Sequence, residues 1–176
     1  HVLGLAETLT LTGSAIKATG NALANTITGT ATANTLDGGV GADTLRGMAG
    51  NDTYVFDDPG DVADESVAGS GGIDTVFAAI SVDLADAVHF KGDIENATAL
   101  AGFTGVNLLG NALANTLTGN NVGNTLDGRG GADLMRGLGG FDIYYVDNIG
   151  DVVDESVSGS GGTDTVIASI SVDLTD

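Results

Sequence analysis

Gly38-Gly39-Val40-Gly41-Ala42-Asp43-Thr44-Leu45-Arg46 runs directly into Gly47-Met48-Ala49-Gly50-Asn51-Asp52-Thr53-Tyr54-Val55. Both stretches place Gly first and fourth, Asp sixth, Thr seventh and a large apolar residue eighth. Glycine supplies the positive-φ geometry of a tight turn. The last three residues read as a short strand whose middle side chain points inward and whose neighbours point out. Two weaker units precede them in the same phase, 20–28 and 29–37, with Asn sixth. Two nine-residue units make one coil with a strand on each side, and stacked coils give two parallel sheets around a thin core.

The set of four units occurs twice. Shifted by 90 residues, positions 20–84 match 110–174 at 43 of 65 places without a gap. The second copy has units beginning at Gly110, Gly119, Gly128 and Gly137, with Leu134 and Ile143 where Thr is expected. The inward set is therefore Ile27, Leu36, Leu45 and Tyr54, then Leu117, Leu126, Met135 and Tyr144. The expected organisation is one continuous solenoid of two tandem repeats, approximately 1–92 and 93–176. The chain starts at His1 and stops at Asp176 with the second copy still running, so the parent protein is expected to extend further.

Composition narrows the class. Of 176 residues, 29 are Gly, yet 42% are hydrophobic, too many for a typical disordered tail. Collagen is excluded by the single Pro and the lack of a three-residue period. Twenty-four acidic residues against five basic ones give a formal net charge of −19, which disfavours nucleic acid as a partner. Divalent cations suit such a chain, because carboxylate and carbonyl oxygens are hard ligands. With no Cys, disulfides and thiolate zinc sites are excluded. There is no apolar run of membrane-spanning length and no N-terminal signal peptide pattern.

The units resemble the RTX nonapeptide, G-G-x-G-x-D-x-U-x with U large and apolar. The match is close at 38–46, 47–55 and 128–145, although Met48, Arg129 and Leu138 replace the second Gly. That resemblance implies an all-β fold, a right-handed parallel β-roll (a β-solenoid) with about 18 residues per coil. It implies several Ca2+ ions between turns stacked on one side, held by the sixth-position Asp and by loop carbonyls. It also implies a secreted, extracellular or cell-surface protein of a Gram-negative bacterium, exported by type I secretion.

An 18-residue coil pairs Asp43 with Asp61 and Asp133 with Asp151. The stretch Gly69-Ser70-Gly71-Gly72-Ile73-Asp74-Thr75-Val76-Phe77 is a nonad displaced by four residues. A four-residue insertion near 65–68 therefore pairs Asp52 with Asp74, and its copy pairs Asp142 with Asp164. Asn25, Asn34, Asn115 and Asn124 are candidate ligands too, but weaker ones, since an amide brings no charge. Leu23, Thr32, Leu113 and Val122 take the fourth-Gly place there, and the alternative is that these loops are purely structural turns. Asp57, Asp58, Asp64 and Glu65 read as solvated turn acids. His89 reads as a surface or packing residue, and Arg46, Arg129 and Arg136 as local counter-charges. Tyr54, Tyr144 and Tyr145 read as packing residues.

These features predict a calcium-binding segment that folds on ion binding after export and serves as a structural or adhesive array. The alternative is a calcium-dependent appendage of an extracellular enzyme that binds an acidic, alginate-type polysaccharide. No catalytic set is legible: the chain lacks a Ser–His–Asp pattern, zinc spacing and a G-K-[ST] phosphate loop. Expected partners are calcium, extracellular polysaccharide or neighbouring repeats of the same chain.

Overall fold

The computed structural model describes residues 6–173. Among them there is no helix but twenty short strands, of which the first seven, from Thr8 to Asp64, start nine residues apart. In chain order these are β1 (Thr8–Thr10), β2 (Lys17–Thr19), β3 (Thr26–Thr28), β4 (Thr35–Asp37), β5 (Thr44–Arg46), β6 (Thr53–Phe56), β7 (Val62–Asp64), β8 (Thr75–Ala78), β9 (Val82–Asp83) and β10 (Phe90–Lys91). There follow β11 (Asn96–Ala99), β12 (Leu108–Leu109), β13 (Thr116–Thr118), β14 (Thr125–Asp127), β15 (Leu134–Arg136), β16 (Gly139–Gly140), β17 (Ile143–Val146), β18 (Val152–Val153), β19 (Gly161–Gly162) and β20 (Thr165–Ala168).

The chain forms two compact units. The first runs to Ile80 and takes in Asp86–Ile94; the second takes Ser81–Ala85 and continues from Glu95. In the first unit, odd strands build one sheet up to β7, which β10 then extends, while β2, β4, β6 and β8 build the other. In the second, β9, β12, β14, β17 and β20 form one sheet, and β11, β13, β15 and β18 another, with β16 against β19. All of these pairings are parallel: each unit is a parallel β-solenoid.

Register shows where the period holds and where it breaks. Thr8 faces Thr26 and Thr26 faces Thr44, so each coil takes 18 residues. Thr53 faces Thr75, and Ile143 faces Thr165, 22 residues on. The extra four residues lie where the sequence places an insertion, between the fourth nonad and the displaced one. Longer steps occur around the junction, from Ala63 to Phe90 and from Val82 to Leu108.

The inward set is buried as the phase requires: Ile27, Leu36, Leu45, Tyr54, Leu117, Leu126, Met135 and Tyr144 all have 0% exposure. Each buried aliphatic side chain contributes roughly 1.5–3 kcal/mol. Phe90 closes the first unit by stacking on Phe56 with ring centroids 4.9 Å apart. Its strand is held there by Ala63 N–H donating to the His89 carbonyl and Glu65 N–H to that of Lys91.

The Asp-bearing turns are wound at their second and fourth positions. The second is Gly39 (φ 78°), Met48 (φ 78°), Arg129 (φ 60°) and Leu138 (φ 70°). For a non-glycine residue this left-handed region costs about 1–2 kcal/mol. The fourth position is always Gly, because a neighbouring coil occupies the place of a side chain: a Cβ on Gly50 would lie 2.6 Å from Ala33 N. Likewise a Cβ on Gly72 would overlap the Gly50 carbonyl oxygen. Two substitutions should therefore act in opposite directions in thermal unfolding. Leu138→Gly, against the usual penalty for glycine, should raise the melting temperature by a few degrees through relief of about 1 kcal/mol. Gly72→Ala should lower it.

Candidate metal sites

Each unit carries a ladder of sixth-position residues. Asn25 N–H donates to Asp43 Oδ1 (2.6 Å), and Asp43 N–H donates to Asp61 Oδ1 (3.0 Å). On the other side Asn34 N–H donates to Asp52 Oδ1 (2.7 Å), and Asp52 N–H to Asp74 Oδ1 (2.7 Å). The second unit repeats this from Asn115 through Asp133 to Asp151, and from Asn124 through Asp142 to Asp164. The structure thus brings together every pair read from the sequence, including the two displaced pairs. Asp43, Asp52, Asp61, Asp74, Asp133 and Asp142 are buried, while Asp151 and Asp164 are half-buried.

The second carboxylate oxygen separates these residues into classes. Oδ2 of Asp43, Asp52, Asp133 and Asp142 is buried without a hydrogen-bond partner. Each lies against the first glycine of its own turn, where any Cβ would overlap it: Gly38, Gly47, Gly128 and Gly137. A buried carboxylate oxygen left unmatched is strongly unfavourable unless something positive meets it. Asp61 is different, because its Oδ2 accepts the N–H groups of Asp57 and Asp58 (both 3.1 Å). Asp151 accepts those of Asp147 and Asn148 in the same way. Among the described residues no three carboxylate or imidazole groups converge on one point. An ion here would take most of its shell from backbone carbonyls, and those of Asn21 and Leu23 approach Gly39 and Gly41 closely.

The Asn turns are built otherwise. None of their residues has positive φ. Asn25 Oδ1 accepts the Asn21 N–H (2.7 Å), and its Nδ2 donates to the Ala6 carbonyl (3.2 Å). Asn34, Asn115 and Asn124 do the same with Thr30 and Ala15, Asn111 and Glu95, and Asn120 and Val106. The amide supplies its own proton where a carboxylate would need a cation. In two of the Asp turns the second-position N–H instead donates to the preceding Asp37 or Asp127, leaving the sixth-position oxygen open.

Burial holds the Asp52, Asp61 and Asp133 carboxyls up at about 6, against an ordinary 3.8. Backbone N–H donors offset this in part, and nearby charges add to it: Glu65 for Asp52, Asp43 for Asp61, Asp151 for Asp133. Asp43 and Asp142 are raised too, again by burial first.

The RTX calcium-binding nonapeptide repeat (4 copies) family matches residues 19–54 and 109–144. These segments are the two sets of four nonads whose turns have just been described. These two segments carry RTX repeats, and with the parallel solenoid they fit an RTX β-roll. No curated protein matches it. The family binds calcium, and the residues present fit that ion: hard oxygen donors, open buried carboxylate oxygens and glycines clearing the space around them.

Several side chains depart from their sequence reading. Asp64 and Glu65 are not solvated turn acids. Asp64 is buried against Arg46 (3.2 Å) and Ser66, which hold its carboxyl below the usual range although burial works the other way. Glu65 is buried and accepts the Tyr54 hydroxyl. Tyr145 is not a core residue; it faces outward at 40% exposure. Arg129 and Arg136 do pair with acids, Asp83 and Asp154.

The raised carboxyls set the pH behaviour of the chelated RTX roll. Their folded values exceed the unfolded ones, so protons favour the metal-free fold. That contribution is complete below about 3.8 and is lost as pH rises through about 6. Circular dichroism of the chelated chain should show strand signal gained between pH 7.5 and 4. Calcium affinity should fall over the same range, because ions and protons compete for the same oxygens. A chelated strand signal independent of pH would contradict this.

Proposed function

We propose that this chain is a structural calcium-binding segment of a secreted or cell-surface bacterial protein, folded by the ion after export. The observation that carries it is the set of four buried, unpartnered Oδ2 atoms at Asp43, Asp52, Asp133 and Asp142. These residues supply the side-chain oxygens, and Asp61, Asp74, Asp151 and Asp164 stand one coil further along. The Asn25, Asn34, Asn115 and Asn124 turns close without metal. When bound, calcium neutralises the stacked carboxylates and accepts carbonyl oxygens into its shell.

With 24 acidic residues against five basic ones, the metal-free chain repels itself. Ligand binding then becomes folding energy. Extracellular calcium modules have dissociation constants on the order of 0.1–1 mM, which leaves such a chain open inside a cell and folded outside it. Two tandem repeats of about 90 residues suit an array whose role is mechanical or adhesive rather than enzymatic. A second reading, a calcium-dependent polysaccharide-binding appendage, draws on the outward Tyr145 beside Asp127 and Ile167 in the sheet register. A glycan array probed with calcium present separates the two.

Calcium titration followed by circular dichroism tests the main reading. Strand signal should rise cooperatively with the ion and collapse on exhaustive chelation at neutral pH; a signal untouched by chelation would sink the proposal. Asp43→Asn should lower the calorimetric ion count, since the amide closes its own turn. Asn34→Ala should leave the count unchanged while costing stability of about 1–3 kcal/mol from unpaired buried groups.

A further inference from the structure

In four nonads the first-position N–H donates to a carbonyl seventeen residues on. Gly20 reaches Asp37 (2.7 Å), Gly29 Arg46 (2.7 Å), Gly110 Asp127 (2.8 Å) and Gly119 Arg136 (2.7 Å). For Gly47 the matching residue is Asp64, but the pairing of β5 with β7 has ended at Leu45↔Ala63. The insertion begins there, and this N–H loses its ladder acceptor. For Gly137 the pairing of β15 with β18 ends likewise at Met135↔Val153.

At these two nonads, uniquely among the eight, the inward residue is tyrosine. Gly47 N–H donates to Tyr54 Oη (3.0 Å), and Gly137 N–H to Tyr144 Oη (2.7 Å). Each hydroxyl in turn donates to a carboxylate from the insertion, Glu65 or Glu155. The glycine so tied is the one against which the open Oδ2 of Asp52 or Asp142 rests. A Cβ at Gly47 would lie 2.5 Å from Tyr54 Oη and would overlap Asp52 Oδ2. Backbone amide, tyrosine hydroxyl and candidate ligand oxygen therefore meet at one glycine, and the insertion supplies the group that fixes them.

We propose that Tyr54–Glu65 and Tyr144–Glu155 are positioning pairs, which hold the Gly47 and Gly137 turns in the shape that lets Asp52 and Asp142 take calcium. They do not ligate the ion; they link its turn to the docking of the four-residue insertion. The Asp43 and Asp133 turns lack such a pair and follow an unbroken 18-residue coil. This inference rests on the calcium reading above and deepens it.

The test is calcium calorimetry on the full chain. In the Tyr54→Phe/Tyr144→Phe variant, the ions lost in an Asp52→Asn/Asp142→Asn reference should bind on the order of tenfold more weakly, the worth of one buried hydrogen bond. The remaining ions should keep their affinity. Adding the Tyr changes to the Asp reference should cause no further loss. Glu65→Gln/Glu155→Gln keeps an acceptor for the hydroxyl and should stay within about threefold of wild type. Unchanged affinity in the Tyr variant would overturn the proposal. So would equal weakening of all ions, failure of that variant to fold in saturating calcium, or a loss in the Gln variant as large as that in the Phe variant. If the wild-type chain takes up no calcium, it is the reading under Proposed function that fails.

Discussion

One hydrogen bond repeats through each unit and sets the rest: the N–H of a sixth-position residue donating to Oδ1 of the sixth-position residue one coil on. It couples neighbouring turns at a fixed height and fixes which way each carboxylate faces. With Oδ1 committed, Oδ2 points into its own turn, toward the first glycine. Whether that second oxygen finds a proton donor within the protein separates Asp61, which does, from Asp43 and Asp52, whose Oδ2 stays open.

Asn and Asp occupy the same place in this ladder with opposite consequences. The amide brings both an acceptor and a donor, so Asn25 and Asn34 satisfy themselves between their own turn and the previous coil. Their backbones need no left-handed residue, which explains how Leu23 and Thr32 can stand in the fourth place. The carboxylate has no proton to give near neutral pH, and its turn is wound through Gly39 and Gly41 or through Met48 and Gly50. A coil of Asn turns is followed by a coil of Asp turns, so amides paired within the protein stand beside carboxylates with an open oxygen.

The insertion shows how a break in the period is absorbed. Four extra residues cost the Gly47 N–H its ladder acceptor, and a buried orphan donor is unfavourable. A tyrosine in the core position reaches it, and an acid from the insertion completes the chain of donors. The same arrangement at Gly137, Tyr144 and Glu155 shows that it belongs to the repeat.

The nine-residue phase by itself determined the coil, the inward residues, the parallel pairing and even the displaced Asp52–Asp74 partnership, because period and alternation are local properties of a chain. It also marked the Asp turns as the strongest ion candidates. Glu65 and Asp64 were illegible as buried groups, since in sequence they look like any acids in a turn, and only stacking of the next coil covers them. The second oxygen of each sixth-position residue was equally beyond reach. Its partner is a backbone atom or none at all, and backbone atoms carry no sequence identity until the coils are stacked.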